Sequence, residues 1–146
     1  MRMGRIILAF IFAVATSHVL TSIAGTQLVL ADIRGYGLTI TLSERLAATF
    51  HDIHGLVPTL PMLIGATFLI AFSVAAVGHR FLRGHRRYWY MAAGFTSLPV
   101  AMMLIKSTLG ANPFAAAGTV TGLLFIALCS MAGALLFARL TLKKEV

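Results

Sequence analysis

Four apolar runs that hold no Asp or Glu dominate the sequence, at residues 6–25, 59–78, 88–109 and 113–140. Each is about as long as the roughly 20-residue helix that crosses some 30 Å of hydrocarbon. Four such runs leave few folds open. A soluble chain of 146 residues would need a polar exterior, and 11% charged against 59% apolar residues cannot supply one. The expectation is therefore a single-domain, all-α integral membrane protein, a bundle of four transmembrane helices with lipid as solvent for much of its outside.

The net charge of +8 comes from twelve Lys and Arg against four Asp and Glu, a balance that in a soluble chain suggests nucleic acid. Its placement points elsewhere. Nine of the twelve basic residues lie at residues 1–5, 79–87 and 139–146, the flanks of the apolar runs. Basic flanks retained on one side set membrane orientation. Both termini and the loop between spans two and three are thus expected in the cytoplasm. In a bacterial host the membrane is the inner one, and nucleic acid drops out as a partner. Tyr88, Trp89 and Tyr90 then form an aromatic belt at the headgroup level. Arg80, Arg83, Arg86 and Arg87 are placed to meet lipid headgroups, although orientation alone accounts for their charge. The opening also has the shape of a secretory signal, with Ser22-Ile-Ala24 at a cleavage position; the chain begins at Met1, so an uncleaved first helix is expected.

The segment 26–58, expected outside the cytoplasm, is too long for a tight turn. Its first part pairs strand-favouring stretches at 28–33 and 38–41 across Arg34-Gly-Tyr-Gly37, which suggests a short β-hairpin; the alternative is that helix one continues to about Asp32. Its second part reads as an amphipathic helix over 42–55. Thr41-Leu-Ser-Glu44 has capping-box spacing, Leu42, Leu46, Phe50 and Ile53 recur at helical spacing, and Gly55 is a stop. Glu44, Arg45, His51, Asp52 and His54 fall on the opposite face, so this helix is expected along the membrane surface or over the bundle.

Within the spans, Pro99 should bend span three and free the carbonyl of Phe95, with Thr96 or Ser97 at hand to bond it. Asn112-Pro113 has the form of a helix start for span four. Gly118-x-x-x-Gly122 and Ala71-x-x-x-Ala75 offer close helix approach. The single cysteine, Cys129, excludes an intrachain disulfide and a thiol redox pair, and reads as packing.

Chemistry-bearing residues are few. His51 and His54, three apart, share a helix face beside Asp52 and are the candidate metal ligands. His18, past the midpoint of span one, and Lys106, near the outer end of span three, extend a candidate ligand-binding cluster of His18, His51, Asp52, His54 and Lys106, since ionisable groups inside spans are functional by default. Each also has a plain role: the helix histidines and Lys106 as wet or snorkelling interfacial groups, His18 as a ring bonded to a backbone carbonyl. His18 is the sole histidine deep in a span, so no bis-histidine haem pair exists and no cofactor is implied. No hydrolase, metalloprotease or phosphate-loop motif occurs, which speaks against an enzyme.

The expected function is a small accessory or structural subunit that packs against a larger membrane complex or against itself. The alternative is a site for a quinone, another lipid or a metal ion, roofed by helix 42–55. A small carrier or channel comes third, because no span carries a carboxylate.

Overall fold

The computed structural model describes residues 2–81, 85–110 and 114–141. It contains α1 (Arg2–Gly35), α2 (Leu42–Gly55), α3 (Leu60–Phe81), α4 (Arg86–Leu109), a 3₁₀ turn (Ala115–Gly118) and α5 (Val120–Thr141). All but α2 and the 3₁₀ turn are long and apolar enough to cross a membrane, with mean hydropathy of 2.2, 2.2, 1.3 and 2.3 in chain order. These four helices close into a ring in which α5 packs on α1 and α4, and α3 packs on α4 and α1. Short α2 rests on α1.

Helices in lipid gain little from excluding water, so close backbone approach and aromatic packing hold the ring. A Cβ at Gly94 of α4 would overlap that of Ala134 on α5 and sit 3.0 Å from the Ser130 carbonyl. A Cβ at Gly133 would overlap Ser17 Oγ and lie 2.6 Å from the Ala13 carbonyl of α1. Below these contacts Phe72 stacks on Phe68 at 4.7 Å and on Phe137 at 4.6 Å, with Tyr90 at 5.4 Å and Phe10 at 6.2 Å from the Phe72 ring. Outward, Ile7, Leu8, Ile11, Leu69, Ile70, Val74, Met103 and Leu128 stand exposed, as a surface solvated by hydrocarbon requires.

The ends differ in charge. Arg5 Nε donates to the Leu140 carbonyl at 2.9 Å, and Arg86 Nη2 to Thr141 Oγ1 at 3.3 Å, which gathers the starts of α1 and α4 and the end of α5. Trp89 lies over Gly78, bringing in the end of α3. Arg5, Arg80, Arg86, Arg87 and Arg139 therefore share one end, while α2, Asp32, Arg34 and Lys106 belong to the other.

The hairpin expected over 28–41 does not form; α1 continues through it to Gly35. Prolonging an existing helix adds a hydrogen bond per residue without a new nucleus, whereas an isolated two-stranded hairpin is marginal, and that difference overrides the strand preference of Val29 and Ile33. The chain turns only at Gly37, whose φ of +84° suits glycine.

Span four also starts later than residue 113. Its helix begins at Val120, capped by Thr119, whose Oγ1 accepts from the Gly122 N–H at 3.0 Å. The expected start signal Asn112-Pro113 lies outside the described residues, as does Arg83. Pro99 sits within a continuous α4, and Thr96 and Ser97 donate to the carbonyls of Ala92, Ala93 and Gly94 rather than to that of Phe95. Of the expected aromatic belt, Tyr88 is exposed but Tyr90 is 5% exposed, held in the aromatic cluster with the Arg86 guanidinium 5.2 Å above its ring.

Candidate functional site

One face of α1 turns polar in the half nearer α2. Ser17, Thr21 and Gly25 follow one another at helical i, i+4 spacing, and His18, Ser22 and Thr26 form a second row beside them. All six are buried. The first row faces α5: Ser17 rests against Gly133, Thr21 neighbours the Cys129 thiol, and the Phe114 ring covers Gly25. The second row faces α2.

Helix α2 is held there by polar contacts. Thr26 Oγ1 donates to Asp52 Oδ2 at 2.7 Å, with the Ser22 carbonyl at 2.9 Å as a second acceptor for the same proton. Gln27 Nε2 donates to Thr49 Oγ1 at 3.2 Å. His18 Nε2 lies 3.1 Å from the carbonyl of Ile53. Because a carbonyl only accepts, the ring hydrogen sits on Nε2, and Nδ1 is left buried without a partner. The capping box at the start of α2 forms as its spacing predicts: Glu44 N–H donates to Thr41 Oγ1 at 3.3 Å, and Thr41 N–H to Glu44 Oε2 at 2.7 Å. The Thr41 hydroxyl also donates to Glu44 Oε2 at 2.8 Å, and these two donors to the carboxylate, the Thr41 backbone first and its hydroxyl second, hold it below its ordinary value of 4.5.

The face that α2 turns to α1 is not its apolar one. Arg45, Ala48, Thr49, Asp52, Ile53 and Leu56 are half-buried, while Leu42, Leu46 and Phe50 are 74%, 54% and 70% exposed. On a helical wheel the apolar stripe lies about a quarter turn round from the docked stripe, at 100° per residue. The seat on α1 is polar and small, which explains why oxygen and nitrogen contacts accompany Ile53 and Leu56 there while Leu42, Leu46 and Phe50 stay outside.

Four buried atoms on α1 have no partner among the described residues: Ser17 Oγ, His18 Nδ1, Thr21 Oγ1 and Ser22 Oγ. A buried polar atom left unpaired costs about 1 to 3 kcal/mol. The Cys129 thiol stands beside Thr21 Oγ1 as a weak donor, and Ser17 is packed on Gly133, so His18 Nδ1 and Ser22 Oγ are the two of these atoms on the row under α2. From Thr26 to Ser17 the column descends about 14 Å at 1.5 Å per residue. Below it come Ala13 and Ala9, at 0% and 2% exposure, and then the aromatic cluster. Towards the basic end the column is closed by these packed residues.

The five residues of the expected cluster are divided. His18 and Asp52 both lie at the α1–α2 junction, but on separate contacts, His18 on the Ile53 carbonyl and Asp52 on Thr26. His51 and His54 point away and are exposed. Lys106 belongs to α4 and lines a different groove with Met102, Met103, Ser107, Val120 and Leu123. Among the described residues no three His, Cys, Asp or Glu side chains gather as metal ligands. Ser22, Thr26 and Gln27, which complete the polar seat, are recognisable in the sequence only as hydroxyls and an amide near the end of span one and just beyond it. Each small-residue motif is buried at one member only: Gly122 is pressed against the Ala116 carbonyl of the preceding turn and Ala75 is buried, whereas Gly118 is exposed and Ala71 half-buried. Comparison with protein-family models, curated proteins and solved structures finds no match.

Proposed function

We propose that the chain is a non-enzymatic accessory subunit of a membrane complex, which meets its partner through α2 and the turn before it. The observation that carries this reading is the bare apolar stripe of α2. Leu42, Leu46 and Phe50 stand exposed on α2, the one α-helix among the described residues too short to cross a bilayer, and Tyr36 and Leu38 in the turn before it are exposed too, at 86% and 61%. Contiguous apolar surface outside the spans marks an interaction site. The close small-residue approaches of α1, α4 and α5 are already spent inside the ring, so they leave α2 as the surface on offer.

In this reading the end with Arg5, Arg80, Arg86, Arg87 and Arg139 faces the cytoplasm, by the retention of basic flanks, and α2 lies outside it. In a bacterium that membrane is the inner one. Arg80 and Arg87, both exposed, meet anionic headgroups of the cytoplasmic leaflet. A photo-crosslinking residue in place of Phe50, followed by purification in mild detergent, tests the partner surface. One discrete cross-linked membrane protein is the expected result. A chain that runs alone as a monomer with no adduct removes the proposal.

A second reading is favoured by the two partnerless atoms that α1 turns to α2. In it, the row under α2 holds a small polar molecule, or the polar head of a quinone or lipid, with His18 Nδ1 as acceptor and Ser22 Oγ beside it. Mass spectrometry of small molecules carried by the purified protein, and by a His18→Ala variant, tests it. A species lost with the imidazole supports this reading, and equal occupancy ends it. Carrier or channel activity ranks last, because the aromatic cluster closes the bundle beneath Ala9 and Ala13.

A further inference from the structure

Helices α4 and α5 touch most closely where Gly94 meets Ser130 and Ala134. Towards the α2 end, residues of both helices line open space between them, with Pro99 of α4 on one side and the first turn of α5, set by the 3₁₀ turn and Thr119, on the other. The gap is a groove. Its outer part, of about 490 Å³, is lined by Met102, Met103, Lys106, Gly118, Val120 and Leu123. Its inner part, of about 280 Å³, shares Met103, Val120 and Leu123 and runs on to Phe95, Pro99 and Ala127.

Length and chemistry together specify an occupant. Between Phe95 and Lys106 the groove runs about 16 Å at 1.5 Å per residue, close to half of the roughly 30 Å hydrocarbon core and hence one leaflet deep. Its walls are apolar, with methionines that adapt to a flexible chain. Charge enters at one end only. Lys106 sits there, and the first turn of α5, the positive end of that helix dipole, opens on the same mouth through Gly118 and Val120. The chain's acidic residues are Asp32 on α1, Glu44 and Asp52 on α2, and Glu145, so α4 and the described part of α5 supply Lys106 with no carboxylate.

We infer that this groove holds one acyl chain of an anionic lipid, its phosphate against Lys106 Nζ and its tail between α4 and α5. The site is separate from the α1–α2 junction and needs neither reading of that junction. A lysine that merely snorkels at a helix end would attract anionic headgroups without selecting a chain in the groove, and this sets the test.

Native mass spectrometry of the whole protein in detergent, with phosphatidylglycerol and phosphatidylcholine of identical chains added in turn, reads both contributions. Wild type should keep phosphatidylglycerol about fivefold more than phosphatidylcholine, the factor expected of one lysine at a headgroup. Lys106→Gln should erase the preference, Lys106→Arg should keep it, and Arg80→Gln, at the other end, should leave it unchanged. Val120→Trp, which fills the groove with Lys106 intact, should lower retention of both lipids. Equal retention of the two lipids by wild type, a preference that survives Lys106→Gln, or a Val120→Trp protein that retains lipid as wild type does would each overturn the inference.

Discussion

Asp52 is the strongest single tether of α2, and its removal has a calculable effect. Helix α2 has no buried residue, and its seat on α1 consists of the Thr26–Asp52, Gln27–Thr49 and His18–Ile53 contacts. A hydrogen bond to a charged group contributes about 1.5 to 3 kcal/mol, against about 0.5 to 1.5 for a neutral one. Asp52→Ala therefore removes the largest share of the docking energy, while the capping box at Thr41 and Glu44 still starts the helix. Undocking should become roughly ten- to hundredfold more frequent, at about 1.4 kcal/mol per tenfold. A cysteine at Ala48, on the half-buried docked face, reports this in a Cys129→Ala background. Its maleimide labelling should accelerate by that factor when Asp52→Ala is added, while a cysteine at exposed Ser43 keeps its rate. Equal labelling of the Ala48 cysteine with and without Asp52 would refute a polar clamp as the basis of docking.

Three further outcomes follow from local geometry. Gly133→Ala forces a methyl onto Ser17 Oγ and the Ala13 carbonyl and should cost about 1 to 3 kcal/mol of overpacking, seen as a lower melting temperature in detergent; Gly65→Ala, which meets nothing within 4 Å, should be neutral or slightly stabilising. The Glu44 carboxyl is held below 4.5, so the stability it lends the start of α2 is full above that value and is lost as pH falls through its lowered folded value. Carboxyl-carbon NMR should place its midpoint under 4.5 in wild type and part of the way back in Thr41→Ala, which keeps the backbone bond; an unchanged midpoint would remove the hydroxyl's role. Phe114 should report its contact with α1: Gly25→Ala collides with its ring and should loosen the turn before α5, read as faster proteolysis between α4 and α5.

The parts of this fold that were legible in the sequence are those fixed by solvent and by local chemistry. Hydrocarbon demands uninterrupted apolar helices, so α3 and α4 fall within three residues of the expected 59–78 and 88–109 at each end. The box at Thr41 and Glu44 is a four-residue event and was equally plain. Tertiary choices were not. Nothing local distinguishes a strand at 28–33 from a helix that goes on, and α2 shows an ordinary apolar stripe yet docks through Thr49, Asp52 and the Ile53 carbonyl because the seat it finds on α1 is polar. The candidate site was half visible for the same reason. His18 and Asp52 come to one junction because α1 is long enough to carry α2, whereas Lys106 belongs to α4, where the groove shared with α5 decides its surroundings. Hydroxyls such as Ser17 and Thr21 are common in spans, and only burial without partners sets them apart.

The central claim is that a bilayer lies between the basic end and α2. Single cysteines at Ser43 of α2 and at Arg87 of α4, each in a Cys129→Ala background, can be probed in intact cells with a membrane-impermeant maleimide. The account predicts that the Ser43 position labels at once and the Arg87 position only after permeabilisation. Labelling of both positions from the same side would contradict it.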